Sequence, residues 1–492
     1  MSPRQEIILK QKKYICGMNE LEELEREARK LEPTANERKI VREGVVNYTE
    51  RFINEIETIP AFEGERKASE VFLNSPVSEE AMALPQVLNM LEKGLDEPGL
   101  NPASGGHLGY IPGGGIYYSA LGDYWADITN RYAGIFFAGP GAVRMENMLI
   151  QWTAELAGYP KNAVGNLTSG GSIANLSAIV TARDSKKITS DKIKKAVIYL
   201  SAEVHHCVFK AIRIAGLGEC IVRHLPLDDC YRIKAQELEN LIATDKQLGL
   251  IPFLVVASAG TTDTGSVDPL EAISAIAAKH KLWFHVDAAY GGYFLLTDHG
   301  KKVLKGIELS DSFAIDPHKS LFLPYGLGMI IVKDKAALYN SHYYQANYMQ
   351  DTLDANEEVS PADLSPELTK HFRGLRLWLP LKLLGLKPFR AALNEKLLLA
   401  RYFYDEIQKL GFEVGPYPEL SVVTYRYVPK TADANAFNKW LMEEVQKDGR
   451  VFISSTMLED RFMLRLAVLS FRTHKSTIDI LLEQLGNLTK GK

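Results

Sequence analysis

From about residue 165 the chain repeats a pattern that few folds can use. Short apolar segments, AVIYLSAE (Ala196–Glu203), PFLVVASAG (Pro252–Gly260), LWFHVDAAY (Leu282–Tyr290) and DSFAIDPHK (Asp311–Lys319), alternate with polar or helical-period stretches such as DPLEAISAIAAKHK (Asp268–Lys281). Parallel strands need a crossover, and each crossover helix must bury its apolar stripe, so the pattern predicts a mostly parallel sheet with helices on both faces. Ligands in open α/β sheets sit beyond the carboxyl ends of the strands. His206, Thr261, Asp287 and Lys319 all fall at such ends.

On either side of this region the texture changes. Residues 18–58 are charge-rich with helical spacing (Leu21, Leu24, Ala28, Leu31, then a second run from Ala35). They read as a solvated helix pair, an arm able to pack on a partner subunit. From about 376 come long helices (Leu377–Leu410) and the strand-like segments LSVVTYRYV (Leu420–Val428) and RFMLRLAVLSFRTH (Arg461–His474). The expected division is an N-terminal helical arm over 1–105, a large α/β domain over 106–375 and a smaller α+β domain over 376–492. A length of 492 residues suits two or three such units.

Composition narrows the partners. A formal net charge of −4 gives no electrostatic footprint for nucleic acid or an anionic membrane. The longest apolar run, Gly249–Gly260, is too short to span a bilayer, and the first 20 residues lack the apolar core of a secretory signal. Four cysteines (Cys16, Cys207, Cys220, Cys230) do not make a disulfide framework in so long a chain. The expected location is therefore cytoplasmic, where the sequons at Asn47, Asn166, Asn175 and Asn487 meet no glycosylation machinery.

The chemistry-bearing segments each have a plain reading and a functional one. Lys319 in DPHKSLFLPYG is either a solvated turn residue or an amine whose pKa falls in apolar surroundings and becomes nucleophilic. Asp287 in HVDAAYGG is either a turn former or a carboxylate facing a cationic ring nitrogen, with Ala288, Ala289 and Gly291 small enough to admit a flat ring. TSGGSIAN (Thr168–Asn175) is either a simple cap at Ser172 or a phosphate site at a helix N-terminus. In EVHHCVFKA, metal ligation by His-His-Cys is disfavoured because adjacent side chains diverge, so no metal is expected; a stacked imidazole suits the neighbours better. An amine, a carboxylate for a ring nitrogen, a phosphate cradle and a planar stacker are together what pyridoxal phosphate needs.

With those residues in view, the chain resembles the group II pyridoxal-phosphate-dependent amino-acid decarboxylases, which include the aromatic-amino-acid and glutamate decarboxylases. The likeness runs from about residue 80 to the C-terminus, and its most specific pieces are HVDAAYGG, DSFAIDPHK, LSPELTKHFRGLRLW, ELSVVTYRY and AVLSFRTH. It implies the fold-type-I architecture and a homodimer with active sites at the subunit interface. By resemblance Lys319 holds the cofactor, His318 contacts its phosphate, Asp287 pairs with the pyridine nitrogen, Ala289 lies against the ring and His206 stacks on it. Gly171 and Ser172 match the phosphate loop, and Thr261 lies near the cofactor. Arg373 matches a structural or substrate-carboxylate arginine. The loop His107–Gly115, with His107, Tyr110 and Pro112, resembles a substrate pocket, to which Phe136 and Phe137 add aromatic surface.

Two departures stand out. Ile173 replaces a glutamate that many relatives carry in the phosphate loop. Relatives also have a mobile-loop tyrosine that protonates the carbanion; counting back from FRGLRLW without gaps puts Pro361 there, and Tyr348 or Tyr344 upstream is the expected substitute. The expected reaction is decarboxylation of an L-amino acid, most readily an aromatic one. The alternatives are an acidic or diamino substrate (glutamate, aspartate, 2,4-diaminobutyrate), an aldehyde-forming oxidative deamination that follows loss of the proton donor, and a non-catalytic cofactor-binding dimer.

Overall fold

The structure, a computed structural model, describes residues 3–343 and 358–492. Two compact units emerge: one runs to Ile59 and takes in Glu65–Gly99, the other comprises Pro60–Gly64 and Leu100–Lys492. The first is helical. Its opening helix begins at Pro3, well before residue 18, and ends at Ala28; the second, Ala35–Asn54, starts from a reciprocal capping box between Thr34 and Glu37. Ile7, Ile8, Leu21 and Leu24 are exposed on the first helix.

The second unit holds a seven-stranded sheet. Its strands in chain order are β1 (Val164–Thr168), β2 (Ala196–Ser201), β3 (Ile221–Leu225), β4 (Ile251–Ser258), β5 (Trp283–Asp287), β6 (Ser312–Ile315) and β7 (Gly328–Val332). The spatial order is β1-β7-β6-β5-β4-β2-β3. All neighbouring pairs from β6 to β3 are parallel, and only β7 runs against its neighbours β6 and β1. Alternate residues of each strand feed two different cores: Val197, Tyr199, Val255, Phe313 and Ile331 enter one, Ile198, Leu200, Leu254, Ala314 and Ile330 the other. Burial on both faces explains why these strands read as unbroken apolar runs. Each buried Val, Leu, Ile or Phe among them contributes about 1.5–3 kcal/mol of transfer free energy.

A smaller antiparallel sheet follows: β8 (Phe412–Val414), β9 (Val422–Tyr427), β10 (Ser454–Leu458) and β11 (Arg461–Ala467), ordered β8-β9-β11-β10. Helices Leu386–Lys409, Ala434–Asp448 and Lys475–Thr489 bury Phe403, Leu441 and Ile478 against it. Gly385, at φ +66°, breaks the long helical stretch into Gly374–Leu384 and Leu386–Lys409. Both sheets belong to the same compact unit, and residues 375 and 376 fall inside the helix Gly374–Leu384. Among the described residues no helix is long and apolar enough to cross a membrane. Cys207, Cys220 and Cys230 are unpaired, and the sequon residues Asn166 and Asn175 are buried.

Candidate active site

Strand direction decides what meets at the sheet's edge. The carboxyl ends of β1, β4, β5 and β6 open onto one cavity of about 420 Å³, which the segment after β2 also lines. Gly171, Ser172, Thr261, Asp287, Ala289, His318 and Lys319 all line it. Register keeps the set level: Ser258 at the end of β4 pairs with Asp287, which pairs with Ala314 on β6. The reversed strand β7 starts at the same edge, where a Cβ on Gly328 would stand 2.5 Å from the carbonyl carbon of Gly170 and 2.6 Å from Asp316 Oδ1. Only glycine fits there.

Charge is concentrated in this cavity. Lys319 Nζ lies 3.1 Å from Asp316 Oδ2, on a side chain only 24% exposed. Burial alone would lower the ammonium's pKa, but the carboxylates of Asp316 and Asp287 outweigh it and hold Lys319 above its ordinary value. The sequence expectation of a depressed lysine is therefore reversed, because the lysine's surroundings are anionic rather than apolar. His318 is pushed down by burial, and its Nδ1–H donates to the Leu327 carbonyl, leaving Nε2 free to face Asp316 at 3.8 Å. Burial pushes the Cys207 thiol up to about 12, so it stays protonated and inert.

Several expected site residues lie elsewhere. His206 is exposed and begins the helix His206–Ile214; the histidine on the cavity is His205, in extended backbone at the N-cap, accepting from the Cys207 N–H. The histidine facing the cavity is thus one residue earlier than expected, because the cap residue turns inward where the first helical residue turns out. Arg373 is spent: it donates twice to Glu367 at 2.8 and 2.9 Å and once to the Leu167 carbonyl, and does not line the cavity. His107 is fully buried, neither ring nitrogen has a partner, and burial pushes its pKa down to about 4. Tyr110 is exposed, Pro112 is buried and Phe136 lies under the Arg144 guanidinium; none of these four lines the cavity. The loop His107–Gly115 nonetheless packs against the cavity residue His318, since a Cβ on Gly113 would stand 2.4 Å from its carbonyl oxygen. Tyr348 and Tyr344 lie outside the described residues, while Pro361 is buried at the start of the turn Pro361–Leu364.

Sequence reasoning passed over two residues that line the cavity, Asp316 and Asn175, and one buried arginine outside its lining, Arg465. Asp316 was visible in DPHK but reads as a turn former; it is 1% exposed, and its Oδ1 has no partner. Asn175 lines the cavity from inside the helix Gly171–Ser185, where an asparagine carries no sequence signal. Arg465, on β11, is 3% exposed; one nitrogen donates to the Gly109 carbonyl and to Ser454 Oγ, and its Nε and Nη2 are unpartnered. Among the described residues no group of three or more His, Cys, Asp or Glu could hold a metal.

The profile of the pyridoxal-dependent decarboxylase conserved domain matches residues 75–428. The chain belongs to the pyridoxal-dependent decarboxylases. Within that family it is 32% identical to an aromatic-L-amino-acid decarboxylase of Bacillus atrophaeus over 372 residues, 74% of this chain and 77% of that protein. It is 28% identical to tryptophan decarboxylase 2 of Oryza sativa subsp. japonica, over 88% of this chain and 91% of the relative. A phenylacetaldehyde synthase of Arabidopsis thaliana is 30% identical over 67% of this chain and 70% of its own. The crystal structure of Oryza sativa TDC with PLP and tryptamine shares the fold at a TM-score of 0.88 and 24% identity, covering 93% of this chain and 98% of that one.

The cavity of this decarboxylase fits pyridoxal 5'-phosphate by its own chemistry. Gly170, at φ +155°, and Gly171 form a cradle that a side chain would close: a Cβ on Gly171 would stand 2.9 Å from Asp316 Oδ2 and 3.2 Å from Ala289 Cβ. The first N–H groups of the helix Gly171–Ser185 have no intrahelical acceptor and suit a phosphate. Lys319 would hold the aldehyde, Asp287 the ring nitrogen, and His205 the ring face. When bound, the cofactor supplies a carbonyl carbon for an amine and a cationic ring that draws electrons from the substrate's Cα.

Proposed function

We propose that this amino-acid decarboxylase acts on an aromatic L-amino acid, releasing carbon dioxide and the amine. The observation that carries the choice of substrate is the loop whose Gly113 packs on the carbonyl of the cavity residue His318: it carries Tyr110, Ile111 and Pro112 beside the cavity rather than in its lining. Relatives named as aromatic-amino-acid, tryptophan and tyrosine decarboxylases support it. In this reading Asp287 would hold the ring nitrogen protonated, Lys319 would anchor the cofactor's aldehyde carbon, and His205 would lie against the ring. His318 and the Gly171–Ser172 turn take the phosphate.

The protein is further proposed to act as a cytoplasmic homodimer. Tyr110 and Phe137 are 58% and 62% exposed, and Leu121, Tyr124, Trp125 and Ile128 leave an apolar face on the helix Tyr117–Thr129 open to solvent. A second copy covering that face would enclose the aromatic loop and exclude water from the reacting centre.

A second reading has its own support. Pro361, not tyrosine, stands at the gapless proton-donor position, and the phenylacetaldehyde synthase of Arabidopsis thaliana is among the relatives. Without that donor, an aldehyde, ammonia and peroxide would form at the expense of oxygen. The test is a panel of the twenty amino acids, assayed for carbon dioxide, amine, ammonia and peroxide. Amine from tyrosine, tryptophan or phenylalanine is the expected result. Turnover confined to glutamate, aspartate or a diamino acid would overturn the substrate assignment, and retention of the cofactor's visible absorbance by Lys319→Ala would overturn the anchor.

A further inference from the structure

Behind Asp287 runs a buried chain of hydrogen bonds whose direction is forced at every link. Asn175 Nδ2 lies 3.2 Å from Asp287 Oδ2 and 2.9 Å from the Gly171 carbonyl oxygen, with Cys207 Sγ at 3.6 Å. A carboxylate and a carbonyl can only accept, so the two amide hydrogens must point at them and Oδ1 must point away. Oδ1 meets His285 Nε2 at 2.8 Å, which must therefore carry the proton. His285 Nδ1 then accepts from the Ser312 hydroxyl at 2.9 Å, and the Ser312 oxygen accepts from Trp283 Nε1–H at 2.9 Å. Every donor finds an acceptor. Asn175, His285 and Ser312 are fully buried, and burial pushes the His285 imidazole down to about 4, so it enters the chain neutral. The other oxygen of Asp287 accepts from the Ala289 N–H at 3.1 Å.

Asn175 stands one helical turn after Gly171, so its amide reaches back to that carbonyl by ordinary helix geometry while its second hydrogen crosses to β5. We propose that Asn175 is the positioning residue that ties the cofactor's two anchor points together, aiming the Asp287 carboxylate at the ring and fixing, through the Gly171 carbonyl, the turn that receives the phosphate. This rests on the reading of Asp287 and the Gly171–Ser172 turn given above. Neither anchor alone sets the spacing between the two ends of the ligand; a single amide bonded to both does. Asp287 and the Gly171 carbonyl set the amide's orientation, and His285, Ser312 and Trp283 complete the buried chain behind it.

The test is titration of cofactor-free protein with pyridoxal phosphate, followed by visible absorbance and protein fluorescence. Asn175→Asp keeps the shape and the acceptor toward His285 but loses both donors; Asn175→Leu removes all polar contacts. Ser177→Ala is the control: Ser177 is as buried on the same helix but does not line the cavity. Asn175→Asp is expected to fold with the wild-type circular dichroism spectrum and to bind the cofactor at least about tenfold more weakly at neutral pH, with an altered absorbance band. Acidification should restore part of the affinity, as the introduced carboxyl takes a proton and donates again. Asn175→Leu should bind no better than Asn175→Asp, and Ser177→Ala should match wild type. Wild-type affinity with an unchanged band in Asn175→Asp would overturn the inference, as would an equal loss in Ser177→Ala. Failure of the wild-type protein itself to bind would instead strike at the reading of the site.

Discussion

Lys319 Nζ and Asp316 Oδ2 sit 3.1 Å apart in the lining of the cavity, three residues from each other along one turn, while the second oxygen of Asp316 is buried without a partner. This pair makes the lysine an ammonium ion in the cofactor-free protein. It must surrender that proton before it can take an aldehyde.

Replacing Asp316 by Asn should therefore lower the pH at which the Lys319 amine becomes reactive. Burial pulls the lysine down, and Asp316 and Asp287 pull it up; removing one carboxylate leaves burial less opposed. A raised lysine pKa also contributes stability below the unfolded lysine's value, lost as pH rises through the folded value. Asp316→Asn without cofactor should thus be less stable than wild type at neutral pH, the gap closing in alkali. Trapping by an amine-directed reagent across a pH series, with parallel denaturation curves, checks both parts. An upward move of the reactivity profile would contradict the account.

The rings of His205 and His206 lie 4.1 Å apart, tilted by 42°, yet only His205 lines the cavity. His205→Ala should reduce kcat/KM by about a hundredfold, the scale of misplacing a bound reactant. His206→Ala should stay within about twofold of wild type, as surface changes generally do. Steady-state kinetics on the two variants separate them, and equal losses would put the stacking role back in doubt.

Arg373→Gln should cost about 2 kcal/mol of folding stability, since it removes charge-assisted bonds to Glu367 and to the Leu167 carbonyl. The KM of the folded fraction should not change. A large rise in KM at unchanged stability would mean that the arginine turns toward substrate after all.

Lys370 and Glu146 form an ion pair with neither side chain exposed, closed by Asn166 Oδ1 and the Gly374 N–H. Lys370→Met strands the carboxylate and should cost about 3–5 kcal/mol in urea denaturation. The double variant Lys370→Met, Glu146→Leu should recover most of that loss. If the double variant is as unstable as the single one, packing rather than charge holds this corner.

How far the sequence could be read followed from what each signal depends on. Strands β2, β4, β5 and β6 were readable because burial on both faces writes apolar runs into the letters, and strand ends then placed Asp287 and Lys319. The choice between His205 and His206 turns on which residue caps the following helix, a one-residue boundary that periodicity does not resolve. Arg373 could not be judged from spacing, because its partner Glu367 becomes a neighbour only through the turn between them. Asp316 and Asn175 gave no sign of their own; a carboxylate beside Pro and an asparagine in a helix look ordinary until their buried partners are known.

Asn175 begins the tripeptide Asn-Leu-Ser, and Asn166 the tripeptide Asn-Leu-Thr, yet both side chains are sealed inside the folded protein. Sugar transferred to either asparagine during synthesis in a secretory host would be attached before folding and could never be buried afterwards. Production routes that pass through such a compartment should yield a chain unable to close its vitamin pocket, whatever its purity.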